Sequence, residues 1–322
     1  MAGGQQEKAQ FWGFVLVHRV KLYWAAFKAT IADISELNIA MVAAGVAFYG
    51  MLSLFPALAA LVTLLSLISD PVVVIAQLEE MRGLLPDDVY KIMNKQIVSL
   101  VTTSSETLGW AGTVSVLAAL WSARAGVGAM MIGLNSVYHE RNRNFARHYL
   151  QALVLTFGLV MVGIIALLTV VIAPIVLSFI PLGRSGVIVA DLIRWSIAIT
   201  VLLAGIGVLY RFGPNRRGAR ARWLTVGAVF AVVSWAVVSY LFSYYVANFG
   251  NYNQVYGSIG AVVAMLVWLW ISSFLVLMGA SWNAQVELRM RPDTTIGPAR
   301  PAGERGAVVA DGFVTSDESK PL

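Results

Sequence analysis

The chain has 322 residues, of which 58% are hydrophobic and 12% are charged, and its net charge is +6. A soluble domain carries about twice this share of charged residues, so the composition excludes a disordered chain and argues against a soluble enzyme. A polytopic membrane protein fits better, since the 28 Gly and 10 Trp are residue types enriched in that class. The lack of Cys excludes disulfides and thiolate metal sites.

Residues 1–38 predict a helix that lies at the membrane surface rather than across it. Apolar side chains recur at spacings of three, four and seven: Val20, Tyr23, Trp24, Phe27, Ile31 and Ile34. Charged residues occupy the other faces: Arg19, Lys21, Lys28, Asp33 and Glu36. An amphipathic helix with Trp, Tyr and Lys at its boundary is typical of the membrane interface. The alternative is a helix packed on the protein's own loops.

Six stretches within residues 39–290 are long and apolar enough to span a bilayer, which takes about 20 residues each. They are Ile39–Ser69, Trp110–Tyr138, Tyr149–Ile180, Val187–Tyr210, Trp223–Ala247 and Val255–Val286. The sequence therefore predicts an all-α fold with a membrane domain of six transmembrane helices.

The distribution of Lys and Arg predicts the orientation of these spans. Seventeen of the 23 basic residues fall in the N-terminal segment, the links after the second and fourth spans, and the C-terminal tail. Four fall in the links on the opposite side, and Arg124 and Arg194 lie within spans. Because basic residues concentrate on the cytoplasmic side of a membrane, both termini are expected in the cytoplasm.

Two further segments lie outside the spans. Residues 70–109, on the outer side, predict a helical hairpin broken at Gly83–Pro86, whose second arm carries an apolar stripe that includes Ile92 and Ile97. Such a hairpin either caps the bundle or binds a partner protein. Residues 291–322 contain Pro, Gly and scattered charges without an apolar period, which predicts a disordered cytoplasmic tail.

Arg124 is the residue whose position is most indicative of a function. It lies midway along the second span, where a charge costs at least about 2.5–3.5 kcal/mol and normally faces protein or water. No Asp or Glu occurs near the middle of any other span, so a buried ion pair is not expected. One interpretation is a site for an anion such as a phosphate, with Asn135 on nearly the same helix face. The other is an Arg bonded to backbone carbonyls and hydroxyls.

Other candidate residues lie beside an expected kink in the first span, in a polar aromatic outer link, and in the fourth span. The candidate substrate-binding residues are Arg124, Asn135, Ser53, Pro56, Tyr252 and Asn253. Each of the additional residues also has a plain role in packing or in anchoring the interface. Asp191 and Arg194 are three residues apart and are expected to form an ion pair. Since no nucleophile–base pattern, phosphate loop or metal-ligand spacing occurs, we expect no catalytic residue, metal or other cofactor.

Five motifs resemble the YihY/BrkB family of bacterial inner-membrane proteins. They are Ala47-Phe-Tyr-Gly-Met-Leu-Ser-Leu-Phe-Pro56, Leu120-Trp-Ser-Ala-Arg-Ala-Gly-Val-Gly-Ala129, Leu134-Asn-Ser-Val-Tyr138, Tyr210-Arg-Phe-Gly-Pro-Asn215 and Tyr256-Gly-Ser-Ile-Gly260. The resemblance spans residues 30–290 and implies a six-helix bundle in the inner membrane with cytoplasmic termini. Members were once labelled ribonuclease BN, and others are linked to serum resistance, virulence and export of envelope lipids. The family supplies no agreed set of functional residues.

Three functions follow as hypotheses. The first is translocation of a lipid or other amphiphilic anion in envelope biogenesis, which Arg124 without a counter-ion motivates. The alternative is a scaffold that recruits an envelope protein through residues 70–109. A ribonuclease is disfavoured, because no acidic or His cluster could hold the metal that it would need. Nucleic acid is therefore not an expected partner, while a homo-oligomer is compatible with the sequence.

Overall fold

A computed structural model of the chain describes residues 3–68, 105–167, 184–216, 225–248, 258–290, 295, 298, 300–301 and 303–312. Within these ranges the chain forms eight helices: α1 (Gly3–Glu36), α2 (Ile39–Ile68), α3 (Ser105–Val137), α4 (Phe145–Leu167), α5 (Arg184–Phe212), α6 (Val226–Asn248), α7 (Ser258–Leu288) and α8 (Val308–Asp311). The all-α class is confirmed.

The described residues contain five helices long and apolar enough to cross a membrane, α3 to α7, and up to six if α1 and α2 together count as one bent span. Their large apolar side chains are exposed along the outer faces, as expected where lipid tails rather than water surround the helices. The structure thus agrees with the predicted series of spans. The outer hairpin lies largely outside the described residues, which resume at Ser105.

A sharp bend separates α1 from α2. Asn38 adopts a left-handed backbone conformation with φ of 51°, which Asn tolerates better than most residues and which ends the helix. The following helix turns away by 68°. Helix α2 therefore begins at Ile39, the residue at which the first span was predicted to start, and that span stays a prediction.

Helix α7 lies at the centre of the packing. It contacts α1, α2, α3, α6 and α8, while α4 and α5 pack against each other and against α3 and α6 respectively. The shared core is rich in small side chains, including Ala43, Ala228, Ala231, Ala280 and Ala284. Small residues let transmembrane helices approach closely and gain van der Waals contact.

The structure of α1 differs in one detail from the predicted amphipathic pattern. Its apolar residues Val20, Trp24 and Ile31 are exposed, whereas the acidic Asp33 is buried against α7. There the Asp33 carboxylate accepts hydrogen bonds from Ser281 Oγ at 2.6 Å and from Gln285 Nε2 at 2.9 Å. Asp33 lies off the apolar stripe as predicted but does not face solvent, because side chains as far as 252 residues away donate hydrogen bonds to it. The interfacial position of α1 remains a prediction.

Part of the C-terminal tail is ordered, in contrast to the disorder expected from residue 291. Val309 of α8 is buried in the core cluster together with Leu288 of α7. The backbone N–H of Val308 donates to Glu140 Oε1 at 3.0 Å. The Asp311 carboxylate closes the preceding turn by accepting bonds from backbone N–H groups of residues 303, 305 and 306. A few apolar residues suffice to dock this segment although it shows no extended apolar period.

Candidate functional site

The links that the sequence assigns to one side of the membrane meet at one end of the bundle. Asn215, after α5, donates its backbone N–H to Asn135 near the end of α3. Glu140, after α3, accepts from the tail segment. Asp33 of α1 reaches the last turns of α7. We call this end, with the link at 138–144 and the described residues 213–216, the basic end.

Helix α3 ends in a Schellman motif that shapes the basic end. His139 has a φ of 53°, the Glu140 N–H donates to the Asn135 carbonyl, and the His139 N–H donates to that of Ser136. The chain then turns back toward α4. This cap leaves the side chain of Asn135 inside the turn, where it is only 1% exposed.

The side chain of Asn135 forms hydrogen bonds to both the α3–α4 link and the α5–α6 link. Its Oδ1 accepts the backbone N–H of Asn215 at 2.7 Å, and its Nδ2 donates to Asn142 Oδ1 at 2.8 Å. Arg143 adds two bonds, from Nη1 to the Gly213 carbonyl and from Nη2 to the Pro214 carbonyl, each 2.8 Å long. Two of the sequence motifs, Leu134–Tyr138 and Tyr210–Asn215, thus form one rigid clamp.

A buried ion pair lies beside this clamp. Arg216 Nη2 is 2.6 Å from Glu287 Oε1, and the two side chains are 6% and 13% exposed. The guanidinium also lies 4.4 Å from the ring centroid of Tyr138. Burial opposes the positive charge, but attraction to Glu287 outweighs it and raises the pKa of Arg216. The ion pair joins the α5–α6 link to α7.

A polar cleft of about 430 Å³ opens on the surface of the basic end. It is lined by Asn142, Arg143, Asn144, Arg147, Leu150, Gln151 and Asn215. Two of these residues are cationic and none is acidic. Partial burial lowers the pKa of Arg143, which shows that its charge is partly desolvated. We call this feature the basic cleft; its chemistry suits an anion.

Arg124 of α3 lies between two aromatic rings. Its Cζ is 4.1 Å from the ring centroid of Tyr149 on α4 and 5.3 Å from that of Trp121 on its own helix. Its Nε is buried, and it makes no hydrogen bond to any described residue. Gly128 and Met131, which lie on the same face of α3 as Arg124, pack against α4. The ring contacts hold the guanidinium in place, and they leave its buried Nε–H without an acceptor in the described part of the chain.

Of the remaining predicted substrate-binding residues, Ser53 and Pro56 lie within the described part of the chain. Ser53 Oγ donates to the Gly50 carbonyl of its own helix at 2.7 Å, and Pro56 lies within α2. Tyr252 and Asn253 lie outside the described residues. The side chain of Asp191 is not described either, and Arg194 lies 5.5 Å from the Trp195 ring centroid. Substrate binding by these residues and the ion pair remain predictions.

The cleft residues were missed as a group at the level of the sequence. Their only signal is the run Arg141-Asn-Arg-Asn144, which the charge count treated as part of a basic link. Asn135 was singled out, but its described contacts are those of a structural clamp. Among the described residues no group of three His, Cys, Asp or Glu is placed to hold a metal ion.

Comparisons with known proteins place the chain in a family. A family profile described as virulence factor BrkB matches residues 30–304. The ribonuclease-like protein YfkH of Bacillus subtilis is 34% identical over 265 residues, which are 78% of this chain and 91% of that protein.

Shorter matches join the chain to proteins named only as membrane proteins. The UPF0761 membrane protein of Tolumonas auensis is 36% identical over 84 residues, 26% of this chain and 27% of that protein. The UPF0761 membrane protein IL2447 of Idiomarina loihiensis is 27% identical over 99 residues, 31% of this chain and 34% of that protein. No solved structure matches the chain. The chain is therefore an integral membrane protein that belongs to the BrkB family.

Proposed function

We propose that this protein binds an amphiphilic anion, such as an anionic phospholipid, and moves it across the bacterial inner membrane during envelope biogenesis. The observation that carries the proposal is Arg124. It is a charge within a transmembrane helix that is positioned by two rings, and its buried Nε–H has no hydrogen-bond acceptor among the described residues.

Of the five N–H donors of the Arg124 guanidinium, the Nε–H is buried without an acceptor among the described residues, and ring contacts do not supply one. A donor left without an acceptor away from water costs about 1–3 kcal/mol, and more when it is charged. A phosphate presents acceptor oxygens in the geometry that Arg binds bidentately. A ligand with such a group would therefore be held where the fold alone leaves Arg124 incompletely bonded.

The surroundings favour an amphiphile over a water-soluble anion. Trp121 and Phe145, next to the Arg124–Tyr149 pair, are exposed on the outer surface of α3 and α4. In a bilayer this surface faces lipid. A ligand reaching Arg124 from that side needs an apolar part, and the basic end is expected on the cytoplasmic side by its content of Lys and Arg.

Lipid movement in proteoliposomes tests the proposal. Vesicles would carry fluorescent phosphatidylglycerol or phosphatidylcholine, and dithionite quenching would report how much label crosses the bilayer. We expect the wild type to move the anionic lipid and Arg124→Ala to slow this movement about tenfold, equivalent to about 1.4 kcal/mol. Arg194→Ala is the matched control, since it removes one charge from another span.

Two results would contradict the proposal. Equal rates for Arg124→Ala and the wild type would remove Arg124 from the pathway. No movement of either lipid by folded wild-type protein would reject translocation and favour the scaffold that recruits an envelope protein.

A further inference from the structure

We infer that the basic cleft is a binding site for the phosphate head group of a membrane amphiphile, with the apolar part of the ligand lying along α4. The inference rests on the proposed function for the class of ligand. It adds to that function the place where the ligand is first held. It assigns a role to Arg143 and Arg147.

One wall of the cleft, formed by Asn142, Arg143 and Asn215, is held by hydrogen bonds before any ligand arrives. Arg143 is bonded to the Gly213 and Pro214 carbonyls, and Asn215 Nδ2 donates to the Arg141 carbonyl at 2.8 Å. Asn142 Oδ1 is occupied by Asn135, which leaves the Asn142 amide N–H groups to donate elsewhere. Side chains held in this way lose little conformational entropy when they bind a ligand.

The charge of the cleft is uncompensated in the described part of the chain. Neither Arg143 nor Arg147 has a carboxylate within 4 Å among the described residues, and Arg147 is exposed. The cleft lies at the start of α4, whose N-terminal end carries the positive pole of the helix dipole. His148, in the next turn, lies within electrostatic reach of both Arg143 and Arg124. Arg143 of the cleft and Arg124 thus both lie near one side chain of α4.

An apolar surface begins at the rim of the cleft. Leu150 lines the cleft and is 62% exposed. From Leu150 a stripe of exposed residues continues along one face of α4 at helical spacing: Val154, Phe157, Met161, Ile164 and Ile165. A phosphate in the cleft therefore places an attached acyl chain on this stripe. This continuity distinguishes the site from one for free phosphate.

Equilibrium binding to the purified full-length protein in detergent tests the inference. The probes are short-chain phosphatidylglycerol, short-chain phosphatidylcholine and inorganic phosphate, each titrated by calorimetry. Arg147→Gln removes an exposed charge that lines the cleft. Arg141→Gln is the matched control, because Arg141 is an exposed charge of the same link that does not line the cleft.

We expect phosphatidylglycerol to bind more tightly than either other probe. Arg147→Gln should weaken its binding about fivefold, at the upper end for one exposed charge pair, and Arg141→Gln should change it less than twofold. Leu150→Gln should weaken the binding of phosphatidylglycerol but not the binding of inorganic phosphate.

Three results would overturn the inference: equal weakening by Arg147→Gln and Arg141→Gln, inorganic phosphate binding as tightly as the lipid, or no measurable binding of the lipid by folded protein. Because binding in detergent involves no movement across a bilayer, these outcomes are independent of the scrambling rates. Scrambling that fails while cleft binding persists would reject translocation alone.

Discussion

Gly227→Ala is the substitution for which the structure gives the most direct expectation. Gly227, in the first turn of α6, faces Gly279 of α7 at a point where the two backbones nearly touch. A methyl group there would overlap the carbonyl oxygen of Gly279 and would lie 2.7 and 2.8 Å from the amide carbon and nitrogen of Asn283. Neither backbone can yield without separating α6 from α7.

Three contributions set the change in the free energy of unfolding: two destabilise the variant and one stabilises it. Overpacking of a close contact costs about 1–3 kcal/mol. Asn283 accepts the Gly227 N–H at 2.8 Å and donates to Thr225 Oγ1, so its displacement costs about 1 kcal/mol for a lost hydrogen bond. Ala is a better helix former than Gly by about 1 kcal/mol, which partly offsets these losses. We expect a net destabilisation of about 1–3 kcal/mol.

Unfolding of the detergent-solubilised protein, followed by tryptophan fluorescence, measures the effect. Gly158→Ala in α4 is the control, because a methyl group there meets no atom within 4 Å. That variant should equal or exceed the wild type in stability. If Gly227→Ala proves as stable as Gly158→Ala, the close contact between α6 and α7 is wrong.

Two further predictions concern the basic end. Glu287→Ala leaves the Arg216 charge buried and should destabilise the protein by about 3–5 kcal/mol. Arg216→Met combined with Glu287→Leu should restore most of that lost stability. If Glu287→Ala is as stable as the double variant, the buried ion pair does not have the predicted effect. Glu140→Ala removes the acceptor for the Val308 N–H and should speed tryptic cleavage at Arg305 while the bundle stays folded; Glu36→Ala, an exposed carboxylate elsewhere, is the control, and equal cleavage of both variants would refute tail docking through Glu140.

Hydropathy and helical periodicity predict the parts of this fold that depend on local sequence. Long apolar runs place α3 to α7, because a bilayer requires about 20 apolar residues per span. The 3.6-residue period also places Gly128 and Met131 on the face of Arg124, and this face does pack against α4. In each case one segment contains all of the information.

The contacts between distant segments escape the same reasoning. Asn135 meets Asn215 across 80 residues, and Asp33 meets Ser281 across 248. Periodicity assigns Asp33 to a polar face of α1 but cannot reveal that α7 presents Ser281 and Gln285 to it. The basic cleft likewise arises only when two links fold together. In the sequence its residues read as an ordinary basic loop, and only the structure shows that Arg143 contacts Gly213.

Photocrosslinking of phosphatidylglycerol with a diazirine in its acyl chain, followed by mass spectrometry of the labelled peptides, tests most directly where the amphiphile lies. We predict that adducts concentrate on the α4 stripe that begins at Leu150 and on Trp121 of α3, and that Arg147→Gln reduces them. Labelling spread evenly over the exposed faces of α4, α5 and α6, and unchanged by Arg147→Gln, would contradict a specific amphiphile site.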